Sequence, residues 1–202
     1  MASHFEAVPG GGAAVALDEV EISILRSLAV QLLELIGPGE QPEGESLDPL
    51  DALFAEGPSE RPSDPALARL FPDAYGDPER EPKGEAERAE EAAAAAEFRR
   101  YTENDLRAGK RENALAIVRT LDSMSVQGEG GGVLKLDPEQ SRQWLGALND
   151  LRLAIGARLD IREDQDSELL YRLPDEDPRK PMAMAYLWLG GLQESLIDTL
   201  AG

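Results

Sequence analysis

The pattern of apolar and polar positions along the chain predicts a mainly α-helical protein. Apolar residues recur every three or four positions from 24 to 36 and again from 144 to 159, which is the spacing of an amphipathic helix. Asp18, followed three residues later by Glu21, has the pattern of a capping box at the start of the first helix. A last helix is predicted from about residue 181 to residue 200.

Two short runs at the beginning of the chain predict a small β element. Residues 4–8 and 13–17 flank a Pro-Gly-Gly-Gly turn, which is typical of a β-hairpin. Residues 133–136 predict a further short strand, for which that hairpin is the candidate neighbour. The predicted fold class is therefore mainly α, a helical bundle with a short N-terminal β-hairpin.

The region after the first helix is acidic and poor in apolar residues. Residues 38–97 hold 17 acids against 5 bases. Short helices are predicted after Asp48-Pro49 and after Asp64-Pro65, because each pair supplies an N-cap followed by a proline at the first helical position. We expect residues 38–63 and 77–84 to be flexible acidic linkers, partly disordered, within one domain that spans residues 1–202.

A long Ala/Glu-rich helix is predicted to continue past residue 98, but its apolar side chains change face. At 100° per residue, Phe98 and Tyr101 point well over 90° away from the stripe that runs from Ala114 to Leu121. This change of face predicts either a break or kink near Gly109 or a helix that is covered on both sides.

The net charge of −20 argues against two classes of partner. Affinity for nucleic acids depends on clustered Lys and Arg side chains, and a strongly negative chain repels phosphate. Anionic membrane surfaces are disfavoured for the same reason. We therefore expect no direct nucleic acid partner and no membrane partner.

The absence of cysteine excludes disulfides, thiolate metal sites and thiol chemistry within this chain. The N-terminus has no basic region before an apolar run, so no signal peptide is predicted. The longest uncharged apolar stretch, residues 182–192, is far shorter than the roughly 20 residues that span a bilayer. We expect a soluble, cytoplasmic protein.

Little in the sequence points to catalysis. His4 is the only histidine, so a Ser-His-acid triad or a His-ligated zinc site would have to use it. An acidic run from Asp164 superficially resembles a calcium loop, but it has Leu169 where the glycine is needed and Asp175 where the glutamate is needed. We therefore predict no enzyme, no catalytic residue, no metal site and no cofactor.

Two charged residues fall on apolar stripes. Arg152 lies within the stripe of residues 144–159, and Glu21 lies within that of the first helix. A charge on a core-facing stripe must be paired or neutralised, so we expect Arg152 to pair with Glu21, with Asp105 as the alternative partner. Asn149 and Asp150 could brace the same network. A buried structural salt bridge is favoured over a partner-binding polar centre.

A basic cluster precedes residue 112, and it is the only place in the chain that could attract an anion. Because acidic residues are interleaved with the cluster, pairing within and between helices is the favoured interpretation. Part of the cluster, together with a tryptophan, is nevertheless a candidate partner surface. The cluster contains Arg99, Arg100, Arg107, Lys110 and Arg111, and the candidate surface consists of Arg99, Arg100, Arg107 and Trp144.

Three stretches, taken together, resemble a known family. They are residues 64–75, with Leu-Phe-Pro-Asp-Ala-Tyr at their end, residues 97–107, which begin Glu-Phe-Arg-Arg-Tyr-Thr, and residues 144–153, which contain Leu-Asn-Asp-Leu-Arg-Leu. This combination is similar to the actinobacterial family, known as a domain of unknown function, that includes the mycobacterial oxidative-stress regulator AosR.

The resemblance implies a cytoplasmic regulator that acts through a protein partner, a stress-type sigma factor of RNA polymerase, rather than an enzyme. The mycobacterial member responds to oxidants through a cysteine pair, and that thiol switch does not carry over to a chain without cysteine. The alternative function is a structural or adaptor protein that homodimerises through its C-terminal helix, because residues 186–189 are apolar all round. A carboxylate-metal enzyme ranks last.

Overall fold

The computed structural model describes residues 3–38, 56–76, 84–124, 131–162, 166 and 170–201. These residues form five helices and one small sheet, so the prediction of a mainly α fold with a β-hairpin is confirmed. The predicted helix after Asp48 and most of the two predicted linkers lie outside the described residues. The elements are β1 (Glu6–Val8), β2 (Gly12–Asp18), α1 (Glu19–Ile36), α2 (Pro65–Leu70), α3 (Glu85–Asp122), β3 (Gly131–Leu136), α4 (Pro138–Arg158) and α5 (Lys180–Ala201).

The sheet has the order β1-β2-β3, and both neighbouring pairs are antiparallel. The N-terminal hairpin is thus confirmed, and β3 lies beside it, with Val15 opposite Leu134. Alternating side chains of β2 and β3 are buried, as expected for a sheet with one face on the core. Gly12 lies so close to β3 that a Cβ there would be 2.1 Å from the carbonyl oxygen of Leu136.

The helices begin where the sequence predicts. Asp18 caps α1 and forms a capping box with Glu21, and Asp137 forms a second capping box with Gln140 at the start of α4. Asp64 caps α2 by accepting hydrogen bonds from the amides of residues 66 and 67. Each cap satisfies backbone N–H groups that have no partner within their helix.

The core lies around α4, which packs against α2, α3 and α5, while α1 packs along α3. Trp144 of α4 is fully buried, and its indole N–H donates to Thr120 Oγ1 at 2.9 Å. The ring of Phe5 meets the indole edge to face, with the ring centroids 5.9 Å apart. The tryptophan thus joins α4 to α3 and to the N-terminal segment before β1.

α3 is a single helix of 38 residues that runs through Gly109 without a break. The prediction of a break or kink near Gly109 is therefore wrong. The alternative, a helix covered on both sides, is also wrong for the described residues, because Phe98 and Tyr101 are exposed. The physical reason for the change of face is that the buried side of the first half of α3 carries charged residues in place of apolar ones.

Candidate functional site

The buried stripe of α3 continues from its apolar second half into a charged first half. Going back from Leu121, Ile117 and Ala114, the same spacing of three and four residues reaches a set of four charged side chains. Arg99 and Glu103, the first two of that set, are 5 % and 1 % exposed. We call the set the charged stripe, and it consists of Arg99, Glu103, Arg107 and Lys110.

Arg99 and Glu103 form the centre of the charged stripe. The guanidinium of Arg99 donates to the carboxylate of Glu103, to the backbone oxygen of Phe71 at 3.0 Å and to Asp73 Oδ1 at 2.8 Å. Burial disfavours the charged form of Arg99, but the hydrogen bonds and charges of Asp73 and Glu103 outweigh it, so the pKa of Arg99 is raised above its ordinary value. The ion pairs therefore hold α3 against the segment that follows α2.

Two arginines of α3 donate hydrogen bonds to backbone oxygens at the C-terminal end of α1. Arg107 donates to Glu103 Oε1 at 2.5 Å and to the backbone oxygen of Ile36, and its guanidinium lies 4.5 Å from the ring centroid of Phe71. Arg111 donates to the backbone oxygens of residues 33 and 37 at 3.1 and 2.9 Å. The last turn of α1 contains no basic residue, so cations from α3 supply the charge that favours a helix C-terminus.

Lys110 ends the charged stripe with a contact to α4. Its ammonium lies 2.6 Å from Oδ1 of Asp150, whose side chain is 3 % exposed. Burial raises the pKa of the Asp150 carboxyl above its ordinary value, although the hydrogen bond and the charge of Lys110 act in the opposite direction. Pairing within and between helices is therefore the role that the structure gives to most of the predicted basic cluster.

The opposite side of α3 carries exposed apolar side chains. Phe98 and Tyr101 are 44 % and 59 % exposed. Tyr75 packs edge to face on Phe98, with the ring centroids 5.9 Å apart, and is itself half exposed. We call Tyr75, Phe98 and Tyr101 the aromatic face. Exposed apolar side chains that cluster in this way mark interaction surfaces.

Polar residues surround the aromatic face. Arg100 lies over the ring of Tyr101, with 5.2 Å from Cζ to the centroid, and pairs with Glu56 at 2.9 Å. Asp105 and Glu97 are exposed on the same side of α3. Of the candidate partner surface predicted from the sequence, Arg100 alone borders this face. Arg99 and Trp144 are core residues and Arg107 is largely buried, so that part of the prediction is wrong.

Arg152 occupies a different site, between α4 and α5. It is half-buried, donates to Gln193 Oε1 at 2.5 Å and lies 5.0 Å from the ring centroid of Tyr186. Gln193 in turn donates a long hydrogen bond of 3.5 Å to Asn149 Oδ1. The Nε of Arg152 is buried without a hydrogen-bond partner. In the described part of the chain, no carboxylate lies within ion-pair distance of Arg152.

The predicted pairing of Arg152 with Glu21 or Asp105 is therefore wrong. Glu21 serves its own helix by accepting from the amide of Asp18 at 2.9 Å, and it also accepts from the hydroxyl of Ser3 at 2.7 Å. Asp105 is exposed on α3. Asn149 joins the network of Arg152 through Gln193, whereas Asp150 points to Lys110. The position of Arg152 on the helix predicted a buried side chain, and the side chain is half-buried. The groups that it contacts are polar side chains of α5 rather than an acid.

The described ranges give no sign of two further classes of site. No group of three or more His, Asp or Glu side chains there is arranged to hold a metal ion. None of the helices in those ranges is long and apolar enough to cross a membrane.

Comparison with known proteins reveals relatives that span most of the chain. It is 32 % identical over 185 residues to the "Putative oxidative stress regulator AosR" of Mycobacterium leprae, covering 89 % of this chain and 78 % of that protein. The chain is also 31 % identical over 189 residues to the "Oxidative stress regulator AosR" of Mycobacterium tuberculosis, and this match covers 90 % of the chain and 79 % of that protein. No solved structure matches the chain. Residues 2–200 match the family described as Domain of unknown function (DUF2017), and the chain belongs to that family, as its sequence motifs predict.

Proposed function

We propose that this protein is a non-enzymatic transcription regulator that acts by binding a sigma factor of RNA polymerase through the aromatic face of α3. The observation that carries the proposal is the exposure of Phe98 and Tyr101 on one side of a helix whose other side is fixed by ion pairs. A rigid helix with exposed aromatic side chains loses little conformational entropy on binding, and such side chains are frequent hot spots of interfaces.

The relatives support the regulatory part of the proposal. The mycobacterial proteins that cover most of the chain carry the name of oxidative stress regulators. This chain has no cysteine, so its own response does not involve a thiol or a disulfide. The regulator proposed here shares the scaffold of its relatives and is controlled by another signal.

The charge of the protein supports a protein partner with a basic surface. The net charge is −20, and Asp105 and Glu97 lie exposed beside the aromatic face. Sigma factors carry basic DNA-binding surfaces, and opposite charges increase the rate at which two proteins meet. The expected contact therefore combines an apolar centre on α3 with an acidic rim.

The test is direct binding between purified proteins. The full chain is titrated against each sigma factor of its own organism by biolayer interferometry, first as wild type and then as Phe98→Ala and Tyr101→Ala. We expect one sigma factor to bind, and each substitution to weaken its binding by about tenfold or more, which corresponds to about 1.4 kcal/mol. Thermal unfolding of each variant verifies that the fold is intact.

Val133→Ala is the matched control, because Val133 is 62 % exposed on β3, an element separate from α3. Its binding should equal that of the wild type. Binding by no sigma factor would contradict the choice of partner. A sigma factor that binds the Phe98 and Tyr101 variants as tightly as the wild type would contradict the choice of surface.

A further inference from the structure

We propose that the exposed side of α5 is a dimer interface, in which Arg152 of each copy pairs with Glu194 of the other. The inference goes beyond the proposed sigma-factor contact, because it concerns another surface and another partner. Its starting point is an open groove of about 500 Å³ between α4 and α5. The groove has Arg152 and Tyr186 in its wall and Glu194 and Asp198 among its lining residues.

The groove contains opposite charges that do not pair with each other. Arg152 has no carboxylate partner among the described residues, and its bonds go to Gln193 and Tyr186. Glu194 and Asp198 are exposed on α5, and neither forms an ion pair with a described residue. A surface that holds both an unpaired cation and unpaired acids is complementary to itself, which is the condition for a two-fold symmetric interface.

The apolar side chains of the same surface follow the helical repeat. Leu187 is half-buried, and Met184 and Ile197 are 50 % and 46 % exposed. With Gly191 and Glu194 these residues recur at intervals of three and four along α5, which is the pattern of a helix that packs against another helix. The surface therefore offers apolar area as well as charge to a second helix.

Two adjacent glycines mark the centre of this surface. A Cβ added at Gly191 would meet no atom within 4 Å, so nothing in the described structure requires a glycine there. Glycine in a helix interior costs about 1 kcal/mol relative to alanine. At Gly190 a Cβ would lie 3.5 Å from Nε of Arg152, which is ordinary contact. The missing side chains let a second backbone approach closely, as small residues do at helix crossings.

An antiparallel crossing of two α5 helices at these glycines defines the pairing. Leu187 lies three residues before Gly190, and Glu194 lies three residues after Gly191. Symmetry then places Glu194 of the second copy opposite Leu187, in the part of the groove where Arg152 contacts Tyr186 and Gly190. The carboxylate of the copy would thus give Arg152 the ion pair that its own chain lacks.

The test is the mass of the full chain in solution, measured by sedimentation velocity over a range of concentrations at physiological salt. Salt is needed because two chains of charge −20 repel each other at low ionic strength. We expect a monomer–dimer equilibrium for the wild type. Arg152→Glu and Glu194→Arg should each raise the dimer dissociation constant by about tenfold or more, since each places like charges in contact.

Mixing the two variants gives the decisive result. In the mixed dimer, position 152 of the Arg152→Glu copy faces position 194 of the Glu194→Arg copy, so this contact joins opposite charges with their places exchanged. The symmetry-related contact joins the unchanged Arg152 of one copy to the unchanged Glu194 of the other. Because both contacts are attractive, the mixture should dimerise like the wild type.

Two outcomes would overturn the proposal. The first is a wild type that stays monomeric at every concentration. The second is recovery of only monomers from the mixture, with circular dichroism to verify that both variants are folded.

A substitution at the glycine tests the crossing point. Gly191→Leu adds a side chain in open space, so it should raise the melting temperature of the monomer and abolish the dimer. Gly109→Leu is the matched control, because Gly109 also lies within a helix with nothing within 4 Å of its Cβ position. It should raise the melting temperature and leave dimerisation unchanged. Dimerisation of Gly191→Leu equal to that of the control would exclude the proposed crossing.

Discussion

Glu103 Oε1 lies 2.5 Å from Nη2 of Arg107, one turn further along the same helix, and the carboxylate is 2 % exposed. Its other oxygen accepts from Arg99, one turn earlier. One buried acid therefore balances two arginines that link α3 to α1 and to the segment after α2. Removing the charge of such an acid leaves two cations in a nearly dry environment.

Glu103→Gln should therefore lower the free energy of unfolding by roughly 3–5 kcal/mol, as measured by urea denaturation. The matched control is Glu112→Gln on the same helix, since Glu112 pairs with Arg119 and both side chains are more than half exposed. The control should stay within about 0.5 kcal/mol of the wild type. Equal effects of the two substitutions would mean that the charged stripe does not stabilise the fold.

The second prediction concerns Arg152 and Glu21, whose side chains bond to different elements. At a concentration where the chain is monomeric, Arg152→Met should change the free energy of unfolding by less than about 1 kcal/mol, because the loss of the hydrogen bond to Gln193 is offset by the removal of a buried Nε that has no partner. Glu21→Leu should cost about 1 kcal/mol through loss of the capping box.

The double variant tests whether the two residues interact. Because no contact joins them, the two effects should add to within about 0.5 kcal/mol in a thermodynamic cycle of urea denaturation curves. A rescue of Arg152→Met by Glu21→Leu would instead require an ion pair between the two helices, contrary to the hydrogen bonds of both residues.

Local patterns made much of the fold predictable from the sequence. Capping residues such as Asp18 and Asp137 act within a few residues of their position, so the helix starts were predicted correctly. The partner of Arg152 was predicted wrongly, because a helical wheel gives the direction of a side chain but not the element that the side chain contacts. Gln193 and Tyr186 are 41 and 34 residues away in the sequence.

The charged stripe was missed for a different reason. The aromatic residues Phe98 and Tyr101 suggested which face of α3 is buried, since large apolar side chains are usually inside. The signal that could have corrected this was present, because Arg99, Glu103 and Arg107 continue the spacing of the apolar stripe at Ala114. A stripe that changes from apolar to paired charges keeps its helical period while losing its hydrophobicity.

The third prediction concerns oxidants. Diamide, which oxidises thiols to disulfides, should change neither the mass of the pure chain nor its binding, because the chain has no cysteine. At a concentration where the chain is monomeric, peroxide should oxidise Met182 and Met184, which are 43 % and 50 % exposed on α5. Mass spectrometry of tryptic peptides measures both results. A diamide-dependent change in partner binding by the pure chain would contradict this expectation.

The fourth prediction concerns Asp150, the buried partner of Lys110. Burial raises the pKa of its carboxyl above the ordinary value, so the folded protein binds this proton more tightly than the unfolded chain does. The stabilisation by this group is complete below the unfolded pKa, near 4, and is lost as the pH rises through the folded pKa. At neutral pH, the ionised carboxylate therefore makes the fold less stable than a neutral group would.

Asp150→Asn should consequently raise the free energy of unfolding at pH 7, by less than about 1 kcal/mol, because the amide oxygen still accepts from Lys110 and the ammonium is partly exposed to water. The gain should disappear as the pH falls through the folded pKa, where Asp150 is itself neutral.

Asp122→Asn is the control of opposite sign, since the hydrogen bond from Arg26 lowers the pKa of Asp122. Its carboxylate contributes stability above the unfolded pKa, so the control should lose stability at pH 7. Urea denaturation of both variants between pH 3 and pH 7 measures the two trends. If Asp150→Asn lowered the free energy of unfolding at pH 7 by as much as is expected for Glu103→Gln, the ion pair with Lys110 would outweigh the cost of burying the carboxylate.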